Sequence, residues 1–336
     1  MPLDTIYLTR HGHRLNWTID LKTGIYHSNY PTPTGIPVDP TLTLPGIRQS
    51  HELASHLSSS EFSPKPCRVY CSPFYRCLQT IQPSVEALKE LQKKDAKQDD
   101  VDLNVRIENG FGEWFGRASF THPGPAPLDV LQPLFPTILP QTGLAYKAQI
   151  FPSPHGETIA QLHDRVATAL DVVIEHVDAE IAAYERDHPE ARDQSRAIII
   201  CSHAAPLIAM GRALTGHMPE DPTTEDFNVF TAGLSTFKRR KHLSGEDKSV
   251  LVSGDASGTL SARKIPDWRG GRGIRGGWDC IKNGDCSFLS GGAERGWHFT
   301  GEEDFNSMPE PPTLNTTNIQ NAHGNVQPEP TSPAKL

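Results

Sequence analysis

Five nitrogen-bearing side chains follow three short apolar runs in this chain. Arg10, His11 and Arg14 come after Thr5-Ile-Tyr-Leu-Thr9. Arg76 comes after Arg68-Val-Tyr-Cys71 and Ser72-Pro73, and His203 after Ala197-Ile-Ile-Ile-Cys201. A phosphate monoester carries close to two negative charges near neutral pH, and arginine forks match its oxygens while staying charged. The set therefore suits a dianionic phosphoryl group. With 32 basic against 40 acidic residues the formal charge is −8, so any anion site must be local and nucleic acid is not the expected partner. Each residue also has a plainer reading: Arg10 and Arg14 as surface charges, Arg76 as an ordinary ion pair, His11 and His203 as strand-end histidines.

The runs are continuous and β-rich, which predicts buried strands presenting polar residues at their carboxyl ends. Helical stretches separate them, so the expected fold is α/β, a three-layer α/β/α arrangement with a mostly parallel central sheet. Ligands in such sheets bind beyond the carboxyl ends of the strands. Helices are predicted over Leu44–Leu57, from about Arg76 to Lys94, after Gly156, and from Pro206. In the third, Thr158 and Gln161 form a capping box, and Ile159, Leu162, Val166, Leu170, Val173, Val177 and Ile181 trace one apolar face. The Pro- and Gly-rich stretch from Thr121 to Pro154 predicts an irregular insertion that shapes a substrate entrance.

A strand at Gly233–Phe237 closes the main domain over residues 1–240, and residues 241–302 are expected to form a small β-rich C-terminal appendage. Its parts are a hairpin over Leu251–Ile265, a second hairpin in Trp278–Leu289 turning at Asn283-Gly284, and a strand at Arg295–Phe299. Residues 303–336 are polar, proline-rich and without periodicity, so a disordered tail is expected. The segment Arg269-Gly-Gly-Arg272-Gly-Ile-Arg275 resembles a short arginine-glycine box able to touch nucleic acid, but a flexible connector is the stronger expectation.

No basic segment with a long apolar run opens the sequence, and no stretch reaches the ~18 apolar residues that span a bilayer. A soluble protein of the cytoplasm or nucleus, without membrane contact, is expected. Six cysteines are few for this length and read as reduced thiols. Cys280, Cys286 and His298 have the wrong spacing for a zinc knuckle and lack a fourth ligand, so neither metal nor cofactor is expected. Trp17, Tyr26, Tyr30 and Phe115 are candidates for the pocket mouth, with core packing as the alternative.

Five ordered motifs resemble the histidine phosphatase superfamily in its phosphoglycerate-mutase-like branch. Thr9-Arg10-His11-Gly12 is similar to the nucleophile motif, with Arg14 as in the Sts and ecdysteroid-phosphate phosphatases. Asp39–Gln49 resembles the first helix entry, and Ser72-Pro73 with Arg76, Gln79 and Thr80 the second arginine motif. Gly156-Glu157-Thr158 with Arg165 resembles the long-helix entry, and Ser202-His203 the second histidine. The resemblance covers roughly residues 4 to 238.

It implies that neutral His11 attacks phosphorus and becomes phosphorylated, while Arg10, Arg14, Arg76 and His203 hold the nonbridging oxygens. The second nitrogen of His11 then needs a fixed acceptor, such as a backbone carbonyl. A carboxyl group of raised pKa must protonate the leaving oxygen. Glu113, in a loop resembling the one that carries the family's acid, is the candidate; Glu108 competes, and Glu157 more plausibly supports an arginine. The implied activity is a metal-independent phosphomonoesterase acting on a phosphorylated small molecule or phosphoprotein. His13 departs from the usual Glu at its position and reads as a solvated loop histidine. Ala204-Ala205 stands where glycine is common and resembles the phosphatase-like subunits of the fungal RNA polymerase III initiation factor. That resemblance implies a second reading, a catalytically weak scaffold module that joins a protein complex through its C-terminal β appendage. The mutases' own acid-site motif is absent, which argues against mutase activity.

Overall fold

The computed structural model describes residues 2–94, 100–141, 145–241 and 264–301. In chain order its elements are β1 (Thr5–Arg10), β2 (Trp17–Asp20), β3 (Ile25–Ser28), α1 (Leu44–Ser58), β4 (Pro66–Cys71), α2 (Tyr75–Lys94), β5 (Val105–Ile107), α3 (Leu128–Leu131), α4 (Ile159–Asp187), β6 (Ala197–Ser202), α5 (Ala204–Thr215), β7 (Leu234–Arg239) and β8 (Trp278–Asp285). Six strands form one sheet in the order β5-β4-β6-β1-β7-β8. The pairs β5/β4, β4/β6 and β6/β1 are parallel, whereas β7 runs antiparallel to both neighbours.

Successive residues of the central strands enter opposite layers, which is why their sequences are apolar throughout rather than alternating. Ile6, Leu8, Ile198 and Ile200 pack with α4 and α5. Tyr7, Val69, Ile199 and Cys201 pack with α1 and α2. The α/β/α expectation therefore holds for the core. In α4 the capping box forms in both directions, with Thr158 Oγ1 accepting from Gln161 N–H and Gln161 Oε1 accepting from Thr158 N–H. The helix buries the expected face from Leu162 to Ile181. Helix α5 begins two residues earlier than Pro206 predicts, because proline is tolerated in a first turn.

The C-terminal part differs from expectation. Asn283-Gly284 does not turn a hairpin: both lie within β8, which pairs with β7 at the sheet edge through a register shift. The positive φ of Gly284 (67°) serves that irregularity, and Ser235 Oγ accepts from its N–H at 2.8 Å. An Asn-Gly pair meets the backbone demand of a bulge as well as that of a turn. Arg295–Phe299 forms no strand. The segment still belongs to the principal core, where Trp268, Trp278 and Phe299 are fully buried with α4 and α5. The hairpin placed at Leu251–Ile265 and the tail from residue 303 lie outside the described residues, apart from the last two positions of that hairpin. Strands β2 and β3 were not read from the sequence; both are short and largely exposed, so they lack an apolar run.

The arginine-glycine segment is no flexible connector. Arg269 pairs with Asp164 at 2.9 Å, and Arg275 with Asp171 at 2.8 Å and Glu175 at 3.0 Å, all on α4. Arg272 pairs with Asp267. Its glycines permit the positive φ of residues 270, 271 and 273, while the acidic flank of α4 uses the charges that a nucleic acid would need. Among the described residues, no helix is long and apolar enough to cross a membrane.

Candidate active site

The carboxyl ends of β1, β4 and β6 lie side by side in the middle of the sheet and gather the residues that follow them. His11 N–H donates to Ser202 O at 3.0 Å, tying the end of β1 to β6. Gly12 N–H donates to Thr80 Oγ1 of α2 at 2.9 Å. Gly46, at the start of α1, packs so closely that an added Cβ would stand 2.0 Å from His13 O. The loop carrying His11 is thus clamped between α1 and α2.

His11 is buried, and its Nδ1–H donates to Gly12 O at 2.8 Å, leaving the lone pair on Nε2. Burial, followed by the charges of Arg76, Arg10, His203 and Arg14, holds the imidazole well below its ordinary pKa. It is a neutral base among cations.

His203 caps α5 and faces Glu113. Burial opposes its charge, but Cys77 and Glu113 outweigh that and the net pKa is raised. Its Nε2 lies 2.7 Å from Ser72 Oγ, and its Nδ1 lies 3.2 Å from Glu113 Oε2 and 3.1 Å from Arg76 Nη2. Arg76, with no solvent exposure, donates from Nη2 to the same Glu113 oxygen at 2.9 Å and from Nη1 to Val38 O at 3.0 Å, near Asp39 at 3.4 Å. Glu113 Oε2 therefore sits between Arg76 and His203.

Glu113 departs from the raised acid expected from the sequence. Burial pushes the carboxyl up, but His203 and Arg76 together hold it well below the ordinary carboxylate range. The cations that suit an oxyanion stabilise this carboxylate for the same reason. The competing Glu108 does have a raised pKa through burial, tempered by its donors. It accepts from Gly110 N, Tyr146 OH, Gln149 N and Ile150 N, and so braces the loop after β5. Glu157 holds Arg165 Nε at 2.9 Å, and Arg165 Nη1 donates to Gly110 O and Gly112 O, fixing the loop that carries Glu113.

A cavity of about 220 Å³ is lined by Arg10, His11, Arg14, Trp17, Glu113 and Phe115, with Trp114, Ala204, Ala205 and Trp297 completing its wall. Arg76 and His203, expected among the oxyanion ligands, are not among the residues that line it; both contact Glu113, which does. Arg10 donates from Nη1 to Val229 O at 2.9 Å and Arg295 O at 2.6 Å. Arg14 donates to Leu15 O at 2.8 Å and stands 5.9 Å from the centroid of Trp17. Burial first, and then neighbouring cations, push both guanidinium groups down to about 10, so both stay charged at neutral pH.

Of the aromatic candidates, Trp17 and Phe115 reach the cavity, whereas Tyr26 is buried behind them with its hydroxyl 2.5 Å from His122 Nδ1, and Tyr30 is exposed. His13 is a partly exposed loop residue, as expected, but its ring is held: Nδ1 lies 2.5 Å from Oγ1 of Thr43, the N-cap of α1. Asp39, Trp114 and Trp297 escaped sequence reading as site residues. Trp297 comes from a segment remote in sequence that no motif marks.

The ligating atoms of His11, Glu113 and His203 lie within 4.8 Å of one another. The charges of Arg76, Arg10 and Arg14 all act on His11 there, so the local field favours an anion over a metal cation. Cys280 and Cys286 do not converge on His298: their thiols donate to Lys282 O and Gly284 O, and His298 lies 3.7 Å from Glu225.

Residues 6–121 match the sequence profile of the histidine phosphatase superfamily (branch 1), which bears out the resemblance read from the motifs. The transcription factor tau 55 kDa subunit of Saccharomyces cerevisiae is 29% identical over 304 residues, covering 89% of this chain. This chain spans 59% of that relative's length. Among solved structures, ecdysone phosphate phosphatase from Bombix mori with tungstate aligns at 17% identity and TM-score 0.46, covering 75% of this chain and 98% of the other. A mutant phosphoserine phosphatase from Entamoeba histolytica, in complex with phosphoserine, aligns at 16% identity and TM-score 0.40, covering 85% and 98%.

Proposed function

We propose that this chain is a metal-independent phosphohydrolase, a phosphomonoesterase acting through a phosphohistidine at His11. The observation that carries this reading is the anchoring of His11 Nδ1 on Gly12 O. It fixes the tautomer and directs nucleophilic character to Nε2 in a cavity shared with Arg10, Arg14 and Glu113. Nε2 attacks phosphorus in line, and the P–O ester bond breaks. Arg10, Arg14, Arg76 and His203 stabilise the charge spread over the transferring group.

The leaving oxygen needs a proton, and Glu113 is the group placed to give it. A phosphoryl dianion competes with Glu113 for Arg76 and His203, and its negative charge raises the carboxyl pKa. Binding thereby loads the acid. In the second half-reaction the Glu113 carboxylate takes a proton from the water that attacks phosphohistidine, and inorganic phosphate leaves.

The test is turnover of a generic aryl phosphate in the presence of chelator, together with mass spectrometry of the phosphoenzyme trapped under alkaline conditions, where a phosphorus–nitrogen bond survives. The expected result is chelator-insensitive activity and a phosphoryl adduct confined to His11, with activity at least about 10³-fold lower in His11→Ala. Absence of both adduct and turnover across a broad substrate panel would overturn the assignment.

A second reading concerns where the molecule works. The yeast relative is named as a subunit of a transcription factor, and the proposed setting is accordingly a nuclear, transcription-associated protein complex. Affinity purification of the full chain from its source tests it. A stable complex that survives His11→Ala would separate assembly from catalysis, whereas recovery as a free monomer would refute membership.

A further inference from the structure

Resting on the phosphohydrolase reading, we propose that the backbone carbonyl of Arg295 is a positioning group for Arg10, so that the C-terminal turn at residues 294–297 is part of the site that receives the phosphoryl group.

The first observation is how Arg10 is held. It lines the cavity beside His11. Its Nη1 donates to two backbone carbonyls, Val229 O at 2.9 Å and Arg295 O at 2.6 Å, from residues 219 and 285 positions away. Both hydrogens of Nη1 lie in the guanidinium plane, so two acceptors fix that plane and the direction of the fork. Its Nε is buried and has no partner. A carbonyl orients the fork without carrying a net charge, whereas a carboxylate in its place would neutralise the cation. That distinction matters for a group that must meet a dianion. With one acceptor gone, the guanidinium is free to pivot about the other.

The second observation is backbone conformation. Among the described residues, the non-glycine positions at positive φ are Ala232 at 55°, Arg275 at 47° and Arg295 at 50°. Two of these three belong to the cradle of Arg10, because Ala232 N–H donates to Arg10 O at 3.1 Å. Such conformations cost energy, persist where the surroundings over-determine them, and cluster at active sites.

The third observation is what does the over-determining. Gln49 Nε2 donates to Glu294 Oε2 at 2.8 Å and to Thr231 Oγ1 at 3.0 Å, while Thr231 N–H donates to Glu294 O at 3.1 Å. The other end of the same amide, Gln49 Oε1, accepts from His13 N–H at 2.9 Å. One side chain of α1 thus joins the C-terminal turn to the loop of His11. On the far side of Arg295, a Cβ added at Gly296 would stand 2.9 Å from the Phe230 ring, Trp297 forms cavity wall, and Phe299 is buried in the core. The carbonyl between these anchors has little freedom to move.

The experiment compares Arg295→Pro with Arg295→Gly. Proline fixes φ near about −65° and cannot hold the native conformation, whereas glycine adopts positive φ without strain. Both delete the side chain, so their difference reports the backbone alone. With folding checked by circular dichroism, kcat/KM for an aryl phosphate is expected to be at least about tenfold lower in Arg295→Pro than in Arg295→Gly, the scale of a lost hydrogen bond to a charged group. In an Arg10→Ala background the two are expected to be equal, since the carbonyl acts through Arg10. Equal kinetics of the two single variants, or a difference undiminished after Arg10→Ala, would overturn the proposal and leave the phosphohydrolase reading intact. If Arg295→Pro does not fold, Glu294→Ala takes its place. A loss of about threefold, recovered in Glu294→Gln because the amide oxygen can still accept from Gln49, supports the proposal; wild-type kinetics in both reject it. If wild type has no turnover, the phosphohydrolase reading fails on its own, and calorimetry with orthophosphate decides. Weaker binding by Arg295→Pro than by Arg295→Gly supports the positioning role, and equal affinities, or no binding by wild type, reject it.

Discussion

At the scale of single residues, the site is organised by competition for a few donors. Arg76 and His203 both engage Glu113 Oε2, at 2.9 and 3.2 Å. The same arginine lies against buried Asp39. Removing one partner of a buried charge pair typically costs about 3–5 kcal/mol. Arg76→Ala is therefore expected to lose activity and also roughly 3 kcal/mol of stability in a denaturant titration, and an unchanged unfolding midpoint would show that Asp39 is paired elsewhere. The depressed pKa of His11 has its own consequence. Because the folded site resists protonation of this imidazole, the nucleophile stays neutral as pH falls through 6.5, the ordinary histidine value. After correction for the second ionisation of substrate, kcat/KM is expected to show no acid limb near pH 6.5. A limb at that value assigned to His11 by mutation would contradict the electrostatic account.

At the scale of elements, helices position the chemistry by close approach at their starts. Helix α1 brings Gly46 against His13 O, leaving no room for a methyl group. Gly46→Ala is expected to cost about 1–3 kcal/mol and to displace the His11 loop, lowering kcat more than the stability loss accounts for. Circular dichroism melting and aryl-phosphate kinetics measure the two effects separately. Helix α4 carries a different liability. His163 is fully buried, its Nδ1–H donates to Ile159 O at 2.7 Å, and its Nε2 has no partner. Burial, helped by Arg212 and Arg269, pushes it down to about 4. With the folded pKa below the unfolded one, the unfolded state binds the extra proton, so stability falls as pH drops from 6.5 toward 4. Between pH 7.5 and 5 this residue alone accounts for about 2 kcal/mol. The stability of His163→Phe should decline by that much less over the same interval, as read from urea titrations at the two pH values.

At the scale of the whole molecule, the C-terminal segment is part of the main fold. Trp268 and Trp278 have no solvent exposure and pack with α4 and α5, while β8 covers the outer edge of β7. Losing a buried tryptophan costs about 3–5 kcal/mol, against a typical total stability of roughly 5–15 kcal/mol. A chain ending at residue 240, where composition suggests a boundary, is expected to be insoluble or unfolded, and one ending at 301 to fold. Thermal melts of the two truncations decide the point.

The sequence by itself determined the central strands, the four long helices, and the order of Arg10, His11, Arg14, Arg76 and His203 at strand ends. These features depend on local periodicity, capping and short motifs, which are written within a few neighbouring residues. It could not determine the state of Glu113, because a pKa depends on which charges converge from β1, α2 and α5, remote in sequence. Nor could it place Trp297 at the cavity or Arg295 beside Arg10, since those contacts bridge almost the full described chain without a periodic signal. Asn283-Gly284 was legible as a site of positive φ, but the sequence left open whether a turn or a bulge would use it. Pairing with β7 decided that, because edge-strand register is set by the neighbouring strand and by packing across the sheet, and both exist only once the chain has folded.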